Sequence, residues 1–380
     1  MSVWGQQEFT IECQRAGMSS FLPNESSYDE KKQDILFVSH IVDHTGAPLV
    51  LLDLMKHYQK KYNVFLVTMQ DGNLRDEIVG NSMPVFVGMP VQLKHVMESL
   101  KKSWFEQVWI NTLICHGFVM LFQNTKIPVF WWFHESDSLF QLYYERMPEL
   151  PLYSNNIRIV AVSRLVQNTI HKYYHMESQL LHMPIKDLFQ EERKQEKDKM
   201  IFFMPARFQR RKGHDIVARA ILNLSDNYRR KIEFWFAGSV DEKEPDYYAV
   251  ICSLSRVYPE TIKIFGELSR DEVYQRYKEC DCVVAPSRQE PTPTTIVEGM
   301  MFERICICSD TTGIAQYLTD GKNAFVVRSE DEVALQKCIE YVVDQREKLD
   351  VLKKAGRQVY LDNFEENVVW EQLENLTAGR

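Results

Sequence analysis

Short apolar segments alternate with amphipathic segments along most of this chain. In the first half, six segments have the length and the apolar, β-branched and aromatic content of strands: 34–40, 62–69, 84–88, 107–111, 127–134 and 157–163. The segments between them have helical patterns, such as residues 48–58, which begin with the proline that first helical turns favour. Continuous apolar strands separated by helices predict a parallel sheet that is covered on both faces. The first half is therefore predicted to form a Rossmann-like unit.

The alternation restarts after a highly charged segment, residues 187–199, which has no apolar face and is predicted to be a linker. Five further strands are predicted at 200–206, 232–238, 262–266, 282–286 and 305–309. We therefore expect an N-terminal domain at 34–186 and a second Rossmann-like domain at 200–360. Residues 361–380 should form an amphipathic helix that caps the second domain or crosses back to the first. Residues 1–33 fit neither domain and have no assignment.

Composition and charge agree with a two-domain α/β protein. A chain of 380 residues is too long for one ordinary core, and its net charge of −8 disfavours nucleic-acid binding, which needs a basic face. No apolar run reaches the roughly 18 residues that span a bilayer, and the N-terminus lacks the pattern of a secretory signal. The eight cysteines include no C-x-x-C pair and suit reduced thiols. We expect a cytoplasmic protein.

Two open parallel sheets in tandem are expected to face each other across a cleft. Ligands bind such sheets outside the carboxyl ends of the strands, so the chemistry should lie at strand-to-helix junctions. At the first junction, Gly46 precedes a helix whose backbone amides could attract an anion, although an ordinary turn is the favoured interpretation of this glycine taken alone. The G-x-G-x-x-G spacing of dinucleotide sites is absent there, which disfavours a nicotinamide cofactor.

A basic loop follows the first strand of the second domain. Arg207, Arg210, Arg211 and Lys212 stand within six positions and are followed by Gly213, which together could cradle an anion. A solvated basic loop is an equally good interpretation of Arg210 and Arg211. Arg207 comes directly after a buried strand, where the site is expected.

Two glutamates follow a later strand of the same domain. Glu298 has an alternative local role, because Thr295-x-x-Glu298 has the spacing of a helix capping box. Glu290 has no comparable local role, and a carboxylate in a loop beside a cleft usually has a partner.

These motifs together resemble the donor domain of family-four retaining glycosyltransferases, which have the GT-B fold. The motifs are Glu290-x7-Glu298-Gly299, the stretch ICICSDTTGIAQYLTDGKNAFVV at 305–327, the basic motif Arg207-x4-Lys212-Gly213 and the loop Phe265-Gly266-Glu267-Leu268. The resemblance is specific over about residues 200–330 and weaker over 34–185. It is closest to bacterial enzymes that build surface polysaccharides or glycolipids.

The resemblance implies roles for the matching residues. Arg207 and Lys212 would bind the donor diphosphate, Glu290 the donor sugar and Glu298 the ribose hydroxyls. The remaining donor-binding positions are Gly238, Gly266, Leu268, Thr294 and Thr295, the two threonines through backbone amides at a helix start. In the first domain, Gly46 and His134 would face the transferred sugar.

The resemblance also implies the reaction. A nucleoside-diphosphate sugar would give its hexosyl or deoxyhexosyl group, with retention, to a hydroxyl of a glycan, glycolipid or protein. The departing diphosphate is a weak base that needs charge stabilisation, which Arg207 and Lys212 could supply. The Asp-x-Asp motif that holds a metal in GT-A enzymes is absent from the sequence, so we expect neither a metal nor another cofactor.

Some features depart from the family or admit other readings. Pro291-Thr292-Pro293 replaces a glycine-rich stretch, which removes two backbone donors beside the sugar.

A nucleotide-sugar epimerase of the same fold, or a non-catalytic scaffold partner, are the alternative functions. The pairs His40-x3-His44 and His171-x3-His175 have zinc-like spacing but no third ligand nearby, so packing or surface roles are favoured. Residues 94–104 form a basic amphipathic stretch that either contacts an anionic membrane peripherally or is simply solvated.

Overall fold

The computed structural model describes residues 4–100, 105–147, 149–150, 154–190 and 198–378. These residues form two compact units, one with residues up to 162 together with 166–181 and 374–378, the other with 163–165 and 182–373. Each unit is a parallel sheet with helices, apart from one antiparallel edge strand in the first unit, so the predicted α/β class is confirmed. Most of the predicted linker, residues 191–197, lies outside the described residues.

All predicted strands are present, with ends within two residues of those expected from the pattern. In the first unit the described strands are β1 (Ser19–Phe21), β2 (Asp34–Ile41), β3 (Asn63–Gln70), β4 (Val85–Val87), β5 (Phe105–Asn111), β6 (Val129–Phe133), β7 (Ile157–Ala161) and β8 (Gln179–Leu180). They form one sheet in the order β1-β4-β3-β2-β5-β6-β7-β8, in which all pairs are parallel except β1 with β4. The central strands are buried along most of their length because helices cover both faces.

The second unit has the same construction. Its strands are β9 (Met200–Pro205), β10 (Ile232–Ala237), β11 (Ile262–Ile264), β12 (Cys282–Ala285), β13 (Ile305–Ser309) and β14 (Phe325–Val327). Within the described residues they form an all-parallel sheet in the order β11-β10-β9-β12-β13-β14. Apolar side chains from the two faces of this sheet form two separate clusters, one on each side. The strand order places β9 and β12 side by side at the centre.

Helices connect the strands in both units. Up to residue 190 they are α1 (Trp4–Arg15), α2 (Gly46–Gln59), α3 (Arg75–Gly80), α4 (Pro90–Leu100), α5 (His116–Val119), α6 (Asp137–Arg146) and α7 (Arg164–Tyr174). After residue 198 they are α8 (His214–Asn223), α9 (Asp226–Arg230), α10 (Pro245–Val257), α11 (Arg270–Glu279), α12 (Thr294–Met301), α13 (Glu332–Asp344), α14 (Asp350–Asn363) and α15 (Glu366–Ala378).

The N-terminal segment, which the sequence left without assignment, belongs to the first unit. Helix α1 buries Phe9, whose ring packs edge-on against Phe65, Phe86 and Phe105 at centroid distances of 5.4, 5.1 and 5.7 Å. Strand β1 then adds to β4 as an antiparallel edge strand. Burial of an aromatic side chain among three others anchors this segment on the sheet.

The C-terminal helix predicted over 361–380 is present, but it begins later than predicted. The structure ends α14 at Asn363 and begins α15 at Glu366. The reason is a contact with a distant segment: the Ile185 amide donates to the Phe364 carbonyl at 2.9 Å, and the Tyr360 hydroxyl donates to the Ile185 carbonyl at 2.9 Å. These bonds take the backbone at Phe364 out of the helix. The final residues, 374–378, belong to the first unit.

A buried histidine connects these C-terminal helices to the rest of the second unit. The imidazole of His182 is 2% exposed, and its two nitrogens lie 2.6 Å from the Tyr317 hydroxyl and 3.1 Å from the Gln372 side-chain oxygen. Burial lowers the pKa of His182 to about 4, although the hydrogen bond with Gln372 opposes this shift.

We predict that His182 makes the unfolding free energy depend on pH. As pH falls from about 6.5 towards 4, the unfolded chain binds a proton at this residue while the folded chain does not, so stability decreases. His182→Gln should remove this part of the slope in urea titrations at a series of pH values. The exposed His95→Gln is the control and should keep the wild-type slope. Equal slopes in the His182 and His95 variants would contradict the assignment.

Candidate functional site

The predicted basic loop lies at the carboxyl edge of the second sheet and is fixed to the loop after β12. It forms a 3₁₀ turn, Arg210–Lys212, and ends at Gly213, whose φ of +81° starts α8. A Cβ atom at Gly213 would lie 2.3 Å from the Pro286 carbonyl oxygen, so only glycine permits this approach. The backbone amide of Arg288 then donates to the Arg211 carbonyl at 2.8 Å. The two predicted motifs are thus neighbours in space.

Lys212 and Glu290 form a largely buried ion pair between these loops. The Lys212 ammonium contacts Glu290 Oε1, and the two side chains are 15% and 12% exposed. The Arg211 guanidinium lies 3.6 Å from the same oxygen, and the Ser287 hydroxyl donates to Oε2 at 3.1 Å. The predicted partner of Glu290 is therefore Lys212.

Charge and burial act together on this pair. Although burial acts in the opposite direction, the charges of Lys212 and Arg211 hold the pKa of Glu290 below its ordinary value. Burial also lowers the pKa of Lys212, which the Glu290 carboxylate opposes. A buried carboxylate and a buried ammonium each need the other, because either one alone would lose its hydration without compensation.

Arg207 is the more exposed of the two cations, Arg207 and Lys212, that are predicted to bind the diphosphate. It follows β9, its side chain is 41% exposed, and its guanidinium lies 3.9 Å from Asp241 Oδ1. Gln209 also binds that carboxylate, at 2.5 Å. At this distance and exposure the Arg207 pair contributes little to stability, so the guanidinium is available to a ligand.

Glu298 is not part of a capping box, so that alternative is wrong. Helix α12 has Pro293 as its N-cap residue, and the Thr295 hydroxyl donates instead to the Pro205 carbonyl at 2.9 Å. The Glu298 carboxylate is largely buried beside the Tyr277 hydroxyl and lies 3.9 Å from the Arg270 guanidinium. Burial raises the pKa of Glu298, while Arg270 and Tyr277 oppose the rise.

The remaining predicted donor positions lie on the same edge of the sheet. Gly238 follows β10 and donates to the Gly266 carbonyl at 2.7 Å, and a Cβ atom there would lie 2.2 Å from the Ala206 carbonyl oxygen. Leu268 packs against the apolar cluster beneath the sheet. Thr294 is exposed as the first residue of α12, whose first-turn amides have no acceptor within the helix.

Sequence reasoning missed the residue that holds the two loops together. Arg288 donates to Asp215 through both terminal nitrogens, at 2.9 and 2.8 Å, and through Nε to Glu330 at 2.7 Å. Tyr247 donates to the same Asp215 carboxylate at 2.8 Å, and these partners keep the Asp215 pKa well below its ordinary range despite burial. The partners are far apart along the chain, so no local pattern indicates them.

The prolines that replace the family's glycines shape the loop after Glu290. Pro291 and Pro293 have no amide hydrogen, and Pro293 caps α12. The Glu290 carbonyl accepts the Gly313 amide at 2.9 Å, and a Cβ atom at Gly313 would lie 1.7 Å from the Pro291 carbonyl oxygen. The segment after β13 therefore packs directly on this loop.

The predicted residues of the first unit lie at the carboxyl edge of its own sheet. His134 follows β6, and its ring centroid is 4.5 Å from that of Trp132. Burial, together with the nearby His40, lowers the pKa of His134 to about 3. The carboxylate of the next residue, Glu135, accepts the backbone amides of Leu113 and His134 at 2.5 and 2.9 Å, which fixes this loop.

Gly46 and the histidine pair His40 and His44 lie at the end of β2 and in the residues that follow it. Gly46 is the first residue of α2 and is exposed, with open space where a side chain would stand. His40 lies in β2 and His44 in the loop after it, so this pair is not on a helix. Among the described residues, no group of three or more histidine, cysteine or acidic side chains could hold a metal ion.

Part of the chain is similar to known glycosyltransferases. Residues 185–359 match the family model described as "Glycosyl transferases group 1". Over 173 residues the chain is 25% identical to a protein of Bacillus subtilis with the name "Putative glycosyltransferase EpsD", covering 43% of this chain and 45% of EpsD. An uncharacterised glycosyltransferase of Methanocaldococcus jannaschii, MJ1178, is 22% identical over 220 residues, 58% of this chain and 57% of its own. The chain thus spans about half the length of these relatives.

Solved structures share the fold over most of the chain. The structure of Anabaena HepE in complex with UDP and glucose has a TM-score of 0.75 and 15% sequence identity, covering 92% of this chain and 100% of HepE. These structures show the GT-B fold with two Rossmann-like domains, as the motifs predict. In the part of the chain that the structure describes, every helix is too short or too polar to cross a lipid bilayer.

We predict that Arg288→Gln lowers the unfolding free energy by about 2 kcal/mol, because it removes the bidentate bond to Asp215 and the bond to Glu330. Urea denaturation measures the change. Lys243→Gln, which removes an exposed charge of the same sign, is the control and should stay within about 0.5 kcal/mol of wild type. Equal stability of the two variants would show that Arg288 does not hold the loops.

Proposed function

We propose that this protein is a retaining, metal-independent glycosyltransferase that moves a hexosyl or deoxyhexosyl group from a nucleoside-diphosphate sugar to a hydroxyl acceptor. The observation that carries the proposal is the Lys212–Glu290 pair, with the exposed Arg207 on the same edge of the sheet. This arrangement lies within the segment that matches group 1 glycosyl transferases. HepE, which shares the fold, is solved with UDP and glucose.

The cations can bind a diphosphate without breaking the existing ion pair. An ammonium has three donors, so Lys212 can contact Glu290 and a phosphate oxygen together. Arg207, whose guanidinium is exposed, would supply a second cation. As the glycosidic bond breaks, negative charge grows on the diphosphate, and Lys212, which a buried carboxylate holds in place, stabilises that charge without reorganising.

Glu298 would bind the ribose hydroxyls of the donor. Its carboxylate is largely buried, with Arg270 only at 3.9 Å, so it retains acceptor capacity for hydroxyl donors. Glu290 would contact the donor sugar, since Lys212, Arg211 and Ser287 fix its position. The first-turn amides of Thr294 and Thr295 would add to phosphate binding.

The acceptor is proposed to be a glycan, a glycolipid or a protein, with a role in bacterial surface polysaccharides and a cytoplasmic location. A peripheral membrane contact would use α4, which exposes Val91 and Lys94, although Lys94 lies 3.8 Å from Glu98 and part of its charge is thereby balanced. Residues 101–104 of the predicted basic stretch lie outside the described residues.

Nucleoside-diphosphate binding tests the proposal directly. UDP or GDP should raise the melting temperature of the protein, since a ligand at 100 times its Kd adds about 2.7 kcal/mol to the stability of the folded state. Lys212→Met, alone or combined with Glu290→Gln, should reduce this shift. If none of the common nucleoside diphosphates raises the melting temperature, the proposed function is wrong.

The same variants separate the catalytic from the structural role of the pair. Lys212→Met and Glu290→Gln should each lower turnover by roughly 10²-fold or more, because a transition-state contact is lost. Lys212→Met removes the main partner of a buried carboxylate and should also lower stability, whereas the double variant should recover stability but not activity. Turnover that recovers together with stability in the double variant would contradict a direct role.

We further expect activity in the presence of excess EDTA. The cations of the basic loop would stabilise the leaving group in place of a metal ion. The measurement is release of nucleoside diphosphate from the donor with and without chelator, and with Mg²⁺ or Mn²⁺ added back. Complete loss of activity with EDTA that a metal restores would contradict metal independence.

A further inference from the structure

Three neighbouring strands of the first unit end in polar side chains at one edge of the sheet. His40 is the next-to-last residue of β2, Thr112 follows β5 and His134 follows β6. In the parallel register, Val38 pairs with Ile110, so His40 and Thr112 stand at the same level two residues further on. The amide of Thr112 donates to the Trp132 carbonyl at 2.8 Å, which brings the end of β6 to this level as well.

His40 is held in place by Thr112. The His40 Nδ1 atom lies 3.2 Å from the Thr112 hydroxyl. Thr112 has a φ of +73°, which is costly for a β-branched residue. Two bonds maintain this conformation: the Trp131 indole donates to the Thr112 carbonyl at 2.8 Å, and the Thr112 amide is bound to β6. The backbone is thus kept in a strained state that places a hydroxyl against the imidazole.

The surroundings of His40 suit an uncharged ligand. Burial lowers the pKa of His40, although the Asp43 carboxylate opposes the shift, and it lowers the pKa of His134 further. Both imidazoles are therefore neutral at pH 7, when each has one donor and one acceptor nitrogen. The negative charge of Asp43 disfavours a phosphate group here. A sugar hydroxyl, which both donates and accepts, matches this site.

His40 has a ring nitrogen left for such a ligand. Its Nδ1 atom is engaged with Thr112, and its Nε2 atom has no hydrogen-bond partner among the described residues. The side chain is half-buried, so Nε2 is not sealed in the core. The Nε2 atom of His134, by contrast, is buried without a partner in the part of the chain that the structure describes.

We propose that His40 is a second sugar-binding imidazole, which forms a hydrogen bond through Nε2 to a hydroxyl of a neutral carbohydrate, with Thr112 as its positioning residue. The inference rests on the glycosyl-transfer function proposed above. The hydroxyl belongs either to the sugar of the donor or to a sugar of the acceptor. The two sources are separated by the experiment.

Two substitutions of His40 test the roles of its two ring nitrogens separately. His40→Asn keeps a polar atom near Nδ1 but lacks one at Nε2, whereas His40→Gln places an amide near Nε2. His44→Asn is the matched control, because His44 is an exposed imidazole four residues away that contacts Asn73 at 3.0 Å. Calorimetric titration with UDP, GDP, UDP-glucose, UDP-galactose, UDP-N-acetylglucosamine and GDP-mannose measures donor affinity. Steady-state transfer to water and to methyl glycosides measures KM and kcat.

If the donor sugar is bound, His40→Asn should weaken binding of the preferred nucleotide sugar about tenfold and leave the affinity for its free nucleotide unchanged. If His40 binds the acceptor sugar, the His40→Asn variant should keep the wild-type affinity for the nucleotide sugar, and its KM for the methyl glycoside should rise about tenfold. In either case His40→Gln should recover part of the loss. Thr112→Val should show the loss in the same assay and Thr112→Ser should not, which distinguishes positioning by the hydroxyl from a packing role.

The inference is overturned if the His40→Asn and His44→Asn variants have the same affinity for the nucleotide sugar and the same transfer kinetics. The kinetics are compared with the acceptor that the wild type uses, which can be water. It is also overturned if His40→Asn weakens binding of the free nucleotide as much as binding of the nucleotide sugar. A wild-type protein that binds no nucleoside diphosphate would instead refute the proposed function itself. The two failures are therefore distinguishable.

Discussion

The ion pair between Lys212 and Glu290 is the contact on which the candidate site depends. Each charge is largely buried, and each would be costly without the other. The pair joins the loop after β9 to the loop after β12, two strands that lie side by side at the centre of the second sheet. It therefore fixes a cation at the carboxyl edge of the sheet, where parallel α/β folds bind their ligands.

Further interactions hold the two loops close enough for Lys212 to reach Glu290. Gly213 lets the backbone of one loop reach the other, and Arg288 fastens the two through Asp215 and Glu330. In the first unit the corresponding edge is built on neutral imidazoles, with His40 held by a strained Thr112. The two edges thus offer different chemistry, fixed cations in one unit and imidazoles close to the Asp43 carboxylate in the other.

The errors of the sequence-based interpretation have a common cause. A capping box was one reading of Thr295 and Glu298, but the Thr295 hydroxyl binds Pro205, which is 90 residues away along the chain. The C-terminal helix was expected to begin at residue 361, but Ile185 binds the backbone at Phe364 and the helix begins at Glu366. Local patterns describe what a segment prefers by itself, and contacts between distant segments override that preference.

The sequence by itself determined the alternation of strands and helices, because apolar periodicity follows directly from burial on the two faces of a parallel sheet. It also placed the basic loop and Glu290 after strand ends and Glu298 in the helix that follows, and it left the N-terminal helix and strand without assignment. Only the tertiary structure decided that Lys212 binds Glu290, that Arg288 binds Asp215 and that Thr112 holds His40. Those pairings join residues from different strand ends, and the order of strands in a sheet is set by packing of the whole unit rather than by any local pattern.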